Sequence, residues 1–313
     1  MKIYLFSPKL GSVRTGNQCT ARQWAAVFES LGHDVVFSDD GDSELMIALH
    51  ASKSQSAIVK YREGHPGRGV ILALTGTDIY PEPDGAACTS MYAADALVVL
   101  QSRALDRIPD AFRHKARVIV QSVQRMQSEP EETNGDTFVV SVVGHLRDVK
   151  DPMRAAAAAR RLPPDSKVQI EHAGAIIDPK YEEIVARERE ENARYTYLGE
   201  QSSEGVLRLI RRGQVMVLSS LSEGGARVIG ESIVEGTPVV ATRIDGVTGL
   251  VGDDYPGLFS AADTEELAAL LNKVETDAGF RRALHHEVKR LTPRFDPALE
   301  REAWRALIDE LAN

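Results

Sequence analysis

The chain contains a series of short apolar runs, rich in β-branched residues, that alternate with segments of helical periodicity. Because these runs are apolar at consecutive positions, they are typical of strands buried on both faces of a sheet. After the first run, residues 20–31 place Trp24 and Phe28 on one helical stripe that ends at Gly32. Strands that alternate with helices favour a parallel sheet in an α/β fold. The runs in the first part of the chain are residues 3–6, 35–37, 45–49, 70–74, 96–100 and 118–120.

The same alternation restarts after a polar stretch, residues 126–137, which has no apolar period and is interpreted as a linker. The 313 residues suffice for about two domains. We therefore predict two doubly wound, Rossmann-like domains, an N-terminal one at 1–125 and a C-terminal one at 138–295. The helical tail, 296–313, is expected to pack on the first domain. The later strand candidates are 138–143, 168–170, 195–198, 215–218 and 238–241, with an alanine-rich helix at 151–161.

Composition excludes several classes of protein. The formal net charge of −9 disfavours binding to a nucleic-acid backbone. No apolar run reaches the ~18 residues of a membrane span, and the chain opens directly on a strand-like segment. Cys19 and Cys88 are isolated and lack the spacing of a zinc site. We expect a cytoplasmic protein with no membrane partner, no metal and no cofactor.

Ligands of open parallel sheets collect at the carboxyl ends of the strands, so the loops after the strands are the candidate sites. The first loop, residues 7–19, carries Arg14, Gly16 and Asn17 just before a helix. Glycines and a helix start favour an anion. A plain strand-to-helix loop is the alternative.

A second loop, 144–151, places Arg147 and Lys150 three residues apart between a strand and a helix. Two cations so spaced suit a pyrophosphate, although solvated surface charges are the alternative. A third loop, 219–226, opens a helix with Gly224 and Gly225, whose amides suit a phosphate.

Two carboxylates, Glu223 and Glu231, flank the glycine pair of the third loop eight residues apart. Carboxylates bind sugar and ribose hydroxyls through charge-assisted hydrogen bonds. The alternative is that one glutamate lies at the helix start, where the helix dipole favours it, and that the other faces solvent. In a fourth loop, 75–78, Thr75, Gly76 and Thr77 follow a strand. His50 stands at the end of another strand, where it either contacts a substrate or is an ordinary histidine of the core.

These motifs together resemble the GT-B fold glycosyltransferases of the Glu-x7-Glu superfamily, which use nucleotide-sugar donors. The resemblance implies two Rossmann-like domains that face each other across a cleft, with the donor on the second domain and the acceptor on the first. It implies that Glu223 contacts the transferred sugar as a catalytic residue and that Glu231 binds ribose. The further donor-binding residues that it implies are Arg147, Lys150, Gly224, Gly225, Ala226 and Gly16.

Several stretches also resemble the selenosugar synthases of selenoneine biosynthesis, a subfamily that couples a UDP-sugar, typically UDP-N-acetylglucosamine, to selenophosphate. The product is a 1-selenosugar, released with UDP and phosphate. The stretches are 15–17, 20–24, 48–51, 74–78, 99–101, 144–147, 222–226 and 253–257. The resemblance therefore implies a UDP-sugar and selenophosphate as the two small-molecule partners.

Two positions depart from the general family. Thr75 stands where many relatives have a histidine, so His50 or His145 is expected to supply any comparable catalytic contact. Gly224 stands where an aromatic residue is usual, which favours an acceptor other than an alcohol. Selenophosphate is already an anion and needs no strong base to deprotonate it, only groups that bind anions. The candidate acceptor-binding residues are Arg14, Asn17, Arg22, Thr75, Gly76 and Thr77.

Other functions remain open on the same scaffold, because a fold does not dictate its reaction. One is a glycosyltransferase with an ordinary alcohol acceptor, and another is a UDP-sugar epimerase or a phosphorylase. A third is a sensor that binds a nucleotide sugar without turning it over. Turnover with selenophosphate, epimerisation without an acceptor, or binding without a product would separate them.

Overall fold

A computed structural model describes residues 1–8, 16–127 and 137–312. By their contacts these residues divide into two compact units. The second unit is Val123–Ser222 with Ala226–Phe295, and the first holds Met1–Ser122, Glu223–Gly225 and Asp296–Asn313. The contacts thus group residues 223–225 with the first unit, whereas the sequence placed them in the second domain. The predicted linker, 126–137, lies mostly outside the described residues.

The first unit is built on a parallel sheet of six strands. The chain starts on the strand next to one edge of the sheet, forms that edge with its second strand and then crosses strand by strand to the other edge. The strands, in chain order, are β1 (Lys2–Phe6), β2 (Asp34–Val36), β3 (Leu45–Leu49), β4 (Gly69–Leu74), β5 (Ala96–Val99) and β6 (Ala116–Val118). The helices between them are α1 (Gly16–Ser30), α2 (Ala51–Gly64), α3 (Gly85–Ala93) and α4 (Asp110–Arg113).

The second unit repeats this plan with another parallel sheet of six strands. Its strands are β7 (Phe138–Val143), β8 (Val168–Ala173), β9 (Tyr195–Gly199), β10 (Val215–Leu218), β11 (Val239–Thr242) and β12 (Leu258–Phe259). Its helices are α5 (Arg154–Ala159), α6 (Lys180–Glu191), α7 (Ser203–Arg212), α8 (Arg227–Glu235), α9 (Asp245–Val251), α10 (Thr264–Thr276) and α11 (Ala278–Leu291). The strand order β12-β11-β10-β7-β8-β9 reverses direction between β7 and β10. Such a reversal is where open α/β sheets bind their ligands.

The alanine-rich helix α5 begins at Arg154, three residues later than the sequence predicts. Asp151 adopts a left-handed backbone, with φ of 43°, and ends a short 3-10 turn at 148–150. Pro152 follows directly. A left-handed residue cannot continue a helix, so the loop between β7 and α5 is longer than expected.

A last helix, α12 (Pro297–Ala312), packs in the core of the first unit. The ring centroids of Trp304 and Trp24 lie 4.7 Å apart, in an edge-to-face arrangement. The carboxylate of Glu300 is buried and accepts hydrogen bonds from Trp24 Nε1 at 2.8 Å and from Ser122 N at 3.0 Å. This carboxylate joins α12 to α1 and to the end of the crossover from β6. Over the described residues, the helices are all too short or too polar to cross a bilayer.

Candidate functional site

A pocket opens in the second unit at the carboxyl ends of β7 and β10, where the strand order reverses. Lys150 enters it from the loop after β7, and Ser219 and Ser220 enter it from the loop after β10. The structure thus brings together parts of two loops that the sequence singled out. The lining residues are Val142, Val143, Gly144, Lys150, Pro152, His172, Val217, Leu218, Ser219 and Ser220.

The two loops at this pocket are hydrogen-bonded to each other. The Leu221 amide donates to the carbonyl of Val149 at 2.9 Å. Ser219 Oγ lies 2.9 Å from the carbonyl oxygen of Asp151, to which it donates. These bonds fix the backbone on both sides of Lys150. Arg147, in contrast, is exposed and is not among the lining residues of this pocket.

The loop at 144–151 is also held by the segment that follows β8. The Leu146 amide donates to the Ala175 carbonyl at 2.9 Å, and the Ala175 amide donates to His145 Nδ1 at 3.0 Å. The His145 ring is therefore a backbone acceptor that helps to fix the loop. At the other end, the carboxylate of Asp148 accepts from Tyr181 Oη at 2.8 Å.

Charge strengthens the contact at Asp148. Lys180 pairs with this carboxylate, and hydrogen bonds from Lys180 and Tyr181 lower the pKa of Asp148. Burial, helped by the adjacent carboxylate, raises the pKa of Tyr181 to about 12, so its hydroxyl stays protonated and continues to donate. The loop that carries Lys150 thus has anchors along its whole length.

Helix α8 carries the second of the predicted glutamates. Glu231 is half-buried, and its Oε1 accepts from Arg227 Nε at 2.8 Å, one turn earlier on the same helix. Ala226 is buried immediately before the helix. Glu231 and Ala226 belong to the second unit, whereas Glu223, Gly224 and Gly225 belong to the first.

In the first unit, the turn after β4 is organised around the buried carboxylate of Asp78. This carboxylate accepts from the amides of Thr75 at 3.0 Å, Gly76 at 2.7 Å and Ala51 at 2.8 Å. Each of these bonds has a charged acceptor, which makes it stronger than a neutral one. The turn that carries the predicted acceptor residues is therefore rigid, and Asp78 is the residue that makes it so.

His50 lies beside this turn, at the start of α2. Its backbone is left-handed, with φ of 72°, and its Nδ1 accepts from the Lys53 amide at 3.4 Å. Burial lowers the pKa of His50, while the nearby Asp78 carboxylate raises it. With Nδ1 accepting, the neutral ring carries its proton on Nε2, which lies 3.0 Å from Thr77 Oγ1. The structure thus brings His50 and Thr77 together.

The glycines of the third and fourth loops meet within the first unit. A Cβ added to Gly224 would lie 2.2 Å from the Thr75 carbonyl oxygen, and one added to Gly76 would lie 2.8 Å from the Gly224 amide nitrogen. A Cβ on Gly225 would lie 2.4 Å from Cβ of Leu100. Close backbone approach is therefore a reason for glycine at these positions, beside the predicted binding of a phosphate.

The remaining predicted residues lie on or before α1. Gly16 is exposed at the first position of the helix, and Asn17 beside it is half-buried. Arg22 is exposed further along the helix. Arg14 lies outside the described residues.

Two residues near the pocket were given no role from the sequence. His172 is fully buried on β8 and lines the pocket, and Tyr195 on β9 contacts its ring. The predicted strand, 168–170, stopped short of His172, although the pairing of β8 with β7 runs on to Ala173. A histidine at the carboxyl end of a buried strand was the available signal.

Comparison with known proteins identifies the family. Residues 123–290, more than half of the chain, match the family Glycosyl transferases group 1. The glycosyltransferase 1 domain-containing protein 1 of Xenopus tropicalis is 24% identical over 326 residues, which cover 94% of each chain.

Solved structures resemble the whole chain. Anabaena HepE, solved in complex with UDP-glucose, has a TM-score of 0.76 at 16% identity, over 100% of this chain and 99% of HepE. Sucrose-phosphate synthase from Thermosynechococcus elongatus has a TM-score of 0.79 at 16% identity, over 99% and 98% of the two chains. These likenesses, with the two parallel sheets, confirm the predicted α/β class and the two Rossmann-like domains of the GT-B type. The chain belongs to the glycosyl transferases group 1 family and is a glycosyltransferase.

Proposed function

We propose that this glycosyltransferase takes its sugar from a UDP-sugar that is bound by the second unit. The first candidate for this donor is UDP-N-acetylglucosamine. The observation that carries the proposal is the pocket at the strand-order reversal, into which Lys150, Ser219 and Ser220 converge. A cation suits a diphosphate, and the reversal is the usual position for a nucleotide in such sheets. The complex of the similar HepE with UDP-glucose supports the same donor class.

In this proposal Lys150 stabilises the diphosphate as it leaves. Negative charge grows on the diphosphate when the bond between C1 of the sugar and its phosphate oxygen breaks. A cation already fixed in place stabilises that charge more in the transition state than in the ground state. Arg147 is the second cation of the same loop, and Glu231, oriented by Arg227, accepts hydrogen bonds from the ribose hydroxyls.

We infer selenophosphate as the acceptor, bound by the first unit. The support is the resemblance of the sequence to selenosugar synthases and the arrangement of His50. Nδ1 of His50 accepts from the Lys53 amide, so its lone pair is not directed at a substrate proton. His50 is thus suited to donating a hydrogen bond and not to acting as a base, which fits an acceptor that arrives as an anion.

The proposed reaction balances with one water molecule. Selenium attacks C1 of the sugar, the C1–O bond breaks, and its electron pair leaves with UDP. Water then attacks phosphorus, the Se–P bond breaks, and its electron pair stays on selenium. The products are the 1-selenosugar, UDP and inorganic phosphate. Asn17, Arg22 and the turn at 75–77 are the candidates in the described residues for holding the acceptor, and Arg14 is a further one.

The test is to incubate the purified chain with UDP-N-acetylglucosamine and selenophosphate. Mass spectrometry should show UDP and a sugar with the selenium isotope pattern. UDP released with alcohol acceptors but not with selenophosphate would overturn the acceptor and keep the donor. A C2 epimer formed without any acceptor, or UDP-sugar binding with no product under every condition, would contradict the transfer itself.

A further inference from the structure

His172 lies at the carboxyl end of β8, and only 1% of its surface is exposed. Its Nε2 lies 3.1 Å from the carbonyl oxygen of Gly144, the first residue after β7. Its Nδ1 lies 3.1 Å from the hydroxyl of Tyr195 on β9. A single imidazole on β8 thus contacts β9 and the first residue of the loop that carries Lys150.

The partners of the ring determine its tautomer. A carbonyl oxygen can only accept, so Nε2 must carry the proton and donate to Gly144. Nδ1 then has a lone pair and accepts a hydrogen bond from the hydroxyl of Tyr195. Full burial lowers the pKa of His172 to about 4, and burial raises the pKa of Tyr195. Both groups are therefore neutral near pH 7, and the direction of both hydrogen bonds is fixed.

The Gly144 carbonyl is also confined from a second side. A Cβ added to Gly174 would lie 1.9 Å from this oxygen, so only glycine allows the approach. The Gly144 amide, for its part, donates to the Ala173 carbonyl at 2.9 Å. The peptide groups at the start of the loop are thus fixed by three consecutive residues of the neighbouring segment, 172–174.

We propose that His172 is a positioning residue for the sugar-donor site: it holds the Gly144 carbonyl so that the loop at 144–151 presents Lys150 to the pocket. This role rests on the proposed function, in which Lys150 binds the diphosphate. Tyr195 supports it by fixing the tautomer that donates to Gly144. His172 also lines the pocket, but both of its ring nitrogens are hydrogen-bonded within the protein, so we expect it to act on the donor through the loop.

The test compares His172→Leu, which keeps the volume and removes the donor, with His172→Gln, whose amide nitrogen can still reach Gly144. The exposed His114 provides the control variant His114→Leu. Two quantities are measured on folded protein: the Kd of UDP by calorimetry, and amide hydrogen exchange of the peptide spanning 144–151. Exchange of β11, in the same unit, reports any general loosening.

We expect His172→Leu to weaken UDP binding about tenfold, the effect of one lost hydrogen bond and a displaced loop. Exchange should rise at 144–151 and not at β11. His172→Gln should restore the Kd to within about threefold of the wild type, and His114→Leu should change neither quantity.

Unchanged exchange at 144–151 in His172→Leu would overturn the positioning role, as would an unchanged Kd. Equal losses in the Leu and Gln variants would also overturn it, because only the volume of the ring would then matter. Failure of the wild-type chain to bind UDP is a different result, and it would overturn the proposed donor. The exchange measurement separates the two failures, since it needs no nucleotide.

Discussion

Arg227 Nε donates a hydrogen bond to Glu231 Oε1 at 2.8 Å, across one turn of α8. A pair of this kind contributes only about 0.5 kcal/mol or less to helix stability. In the proposed donor site it has another use, since it holds the carboxylate in one orientation for the ribose hydroxyls.

Replacing Glu231 by Gln should therefore weaken UDP binding about tenfold, because a charged acceptor is replaced by a neutral one. The free energy of unfolding should change by less than about 0.5 kcal/mol. Calorimetric titration with UDP and a urea melt measure the two quantities. The exposed pair of Glu204 and Arg208, also one turn apart on its helix, provides the control Glu204→Gln. Equal UDP affinity in the two variants would remove Glu231 from the donor site.

Substitution of Lys150 by Ala should reduce kcat about 100-fold, because the lost charge acts mainly on the leaving diphosphate. The side chain is only half-buried, so the melting temperature should stay close to that of the wild type. Initial rates of UDP release measure the effect, and Lys289→Ala, at an exposed position on α11, is the control. A full rate in Lys150→Ala would contradict the proposed role of Lys150 in stabilising the leaving group.

Gly224→Ala should destabilise the first unit by about 1–3 kcal/mol, because the new Cβ meets the Thr75 carbonyl oxygen at 2.2 Å. Gly64 offers a matched control, since a Cβ there meets no atom within 4 Å. Gly64→Ala should be neutral or slightly stabilising, through the entropy of the unfolded chain. Chemical denaturation measures both variants. If Gly224→Ala is as stable as Gly64→Ala, the close approach does not occur in solution.

The fold could be predicted because its signal is local and repeated. A strand such as β3, buried at all five positions, is apolar throughout, and a helix such as α1 buries one stripe of side chains that includes Trp24 and Phe28. Both parallel sheets follow from that alternation. The order of the strands does not, since nothing within β7 or β10 indicates that they pair. Helix α5 begins later than predicted because Asp151 takes a left-handed conformation, which the composition of the segment does not reveal.

In the candidate site, too, some residues could be predicted from the sequence and others could not. Lys150 could be singled out from the sequence because it is a cation in the loop that follows a buried strand, and its binding to the donor stays a prediction. Outside the site, the contact between Glu300 and Trp24 could not be predicted, since the two residues lie 276 positions apart. His172 was missed because its proposed role depends on Gly144, which follows β7, and on Tyr195, which lies on β9. Residues that act by holding a loop become apparent only when the contacts are known.

The free energy of unfolding should decrease as the pH is lowered, in part because His172 becomes protonated. Its pKa is about 4 in the folded protein and about 6.5 in an unfolded chain, so the unfolded state binds the proton more readily. The contribution of neutral His172 is complete above about pH 7 and declines as the pH falls from about 6.5 towards 4, by about 3 kcal/mol in all. Urea melts at pH 7.5, 6.0 and 5.0 should show a smaller acid loss in His172→Gln, which has no titrating ring, than in the wild type. Carboxylates contribute equally to both proteins, so the difference isolates the histidine. If the free energy of unfolding depends on pH in the same way in both proteins, His172 has an ordinary pKa and is not buried in solution.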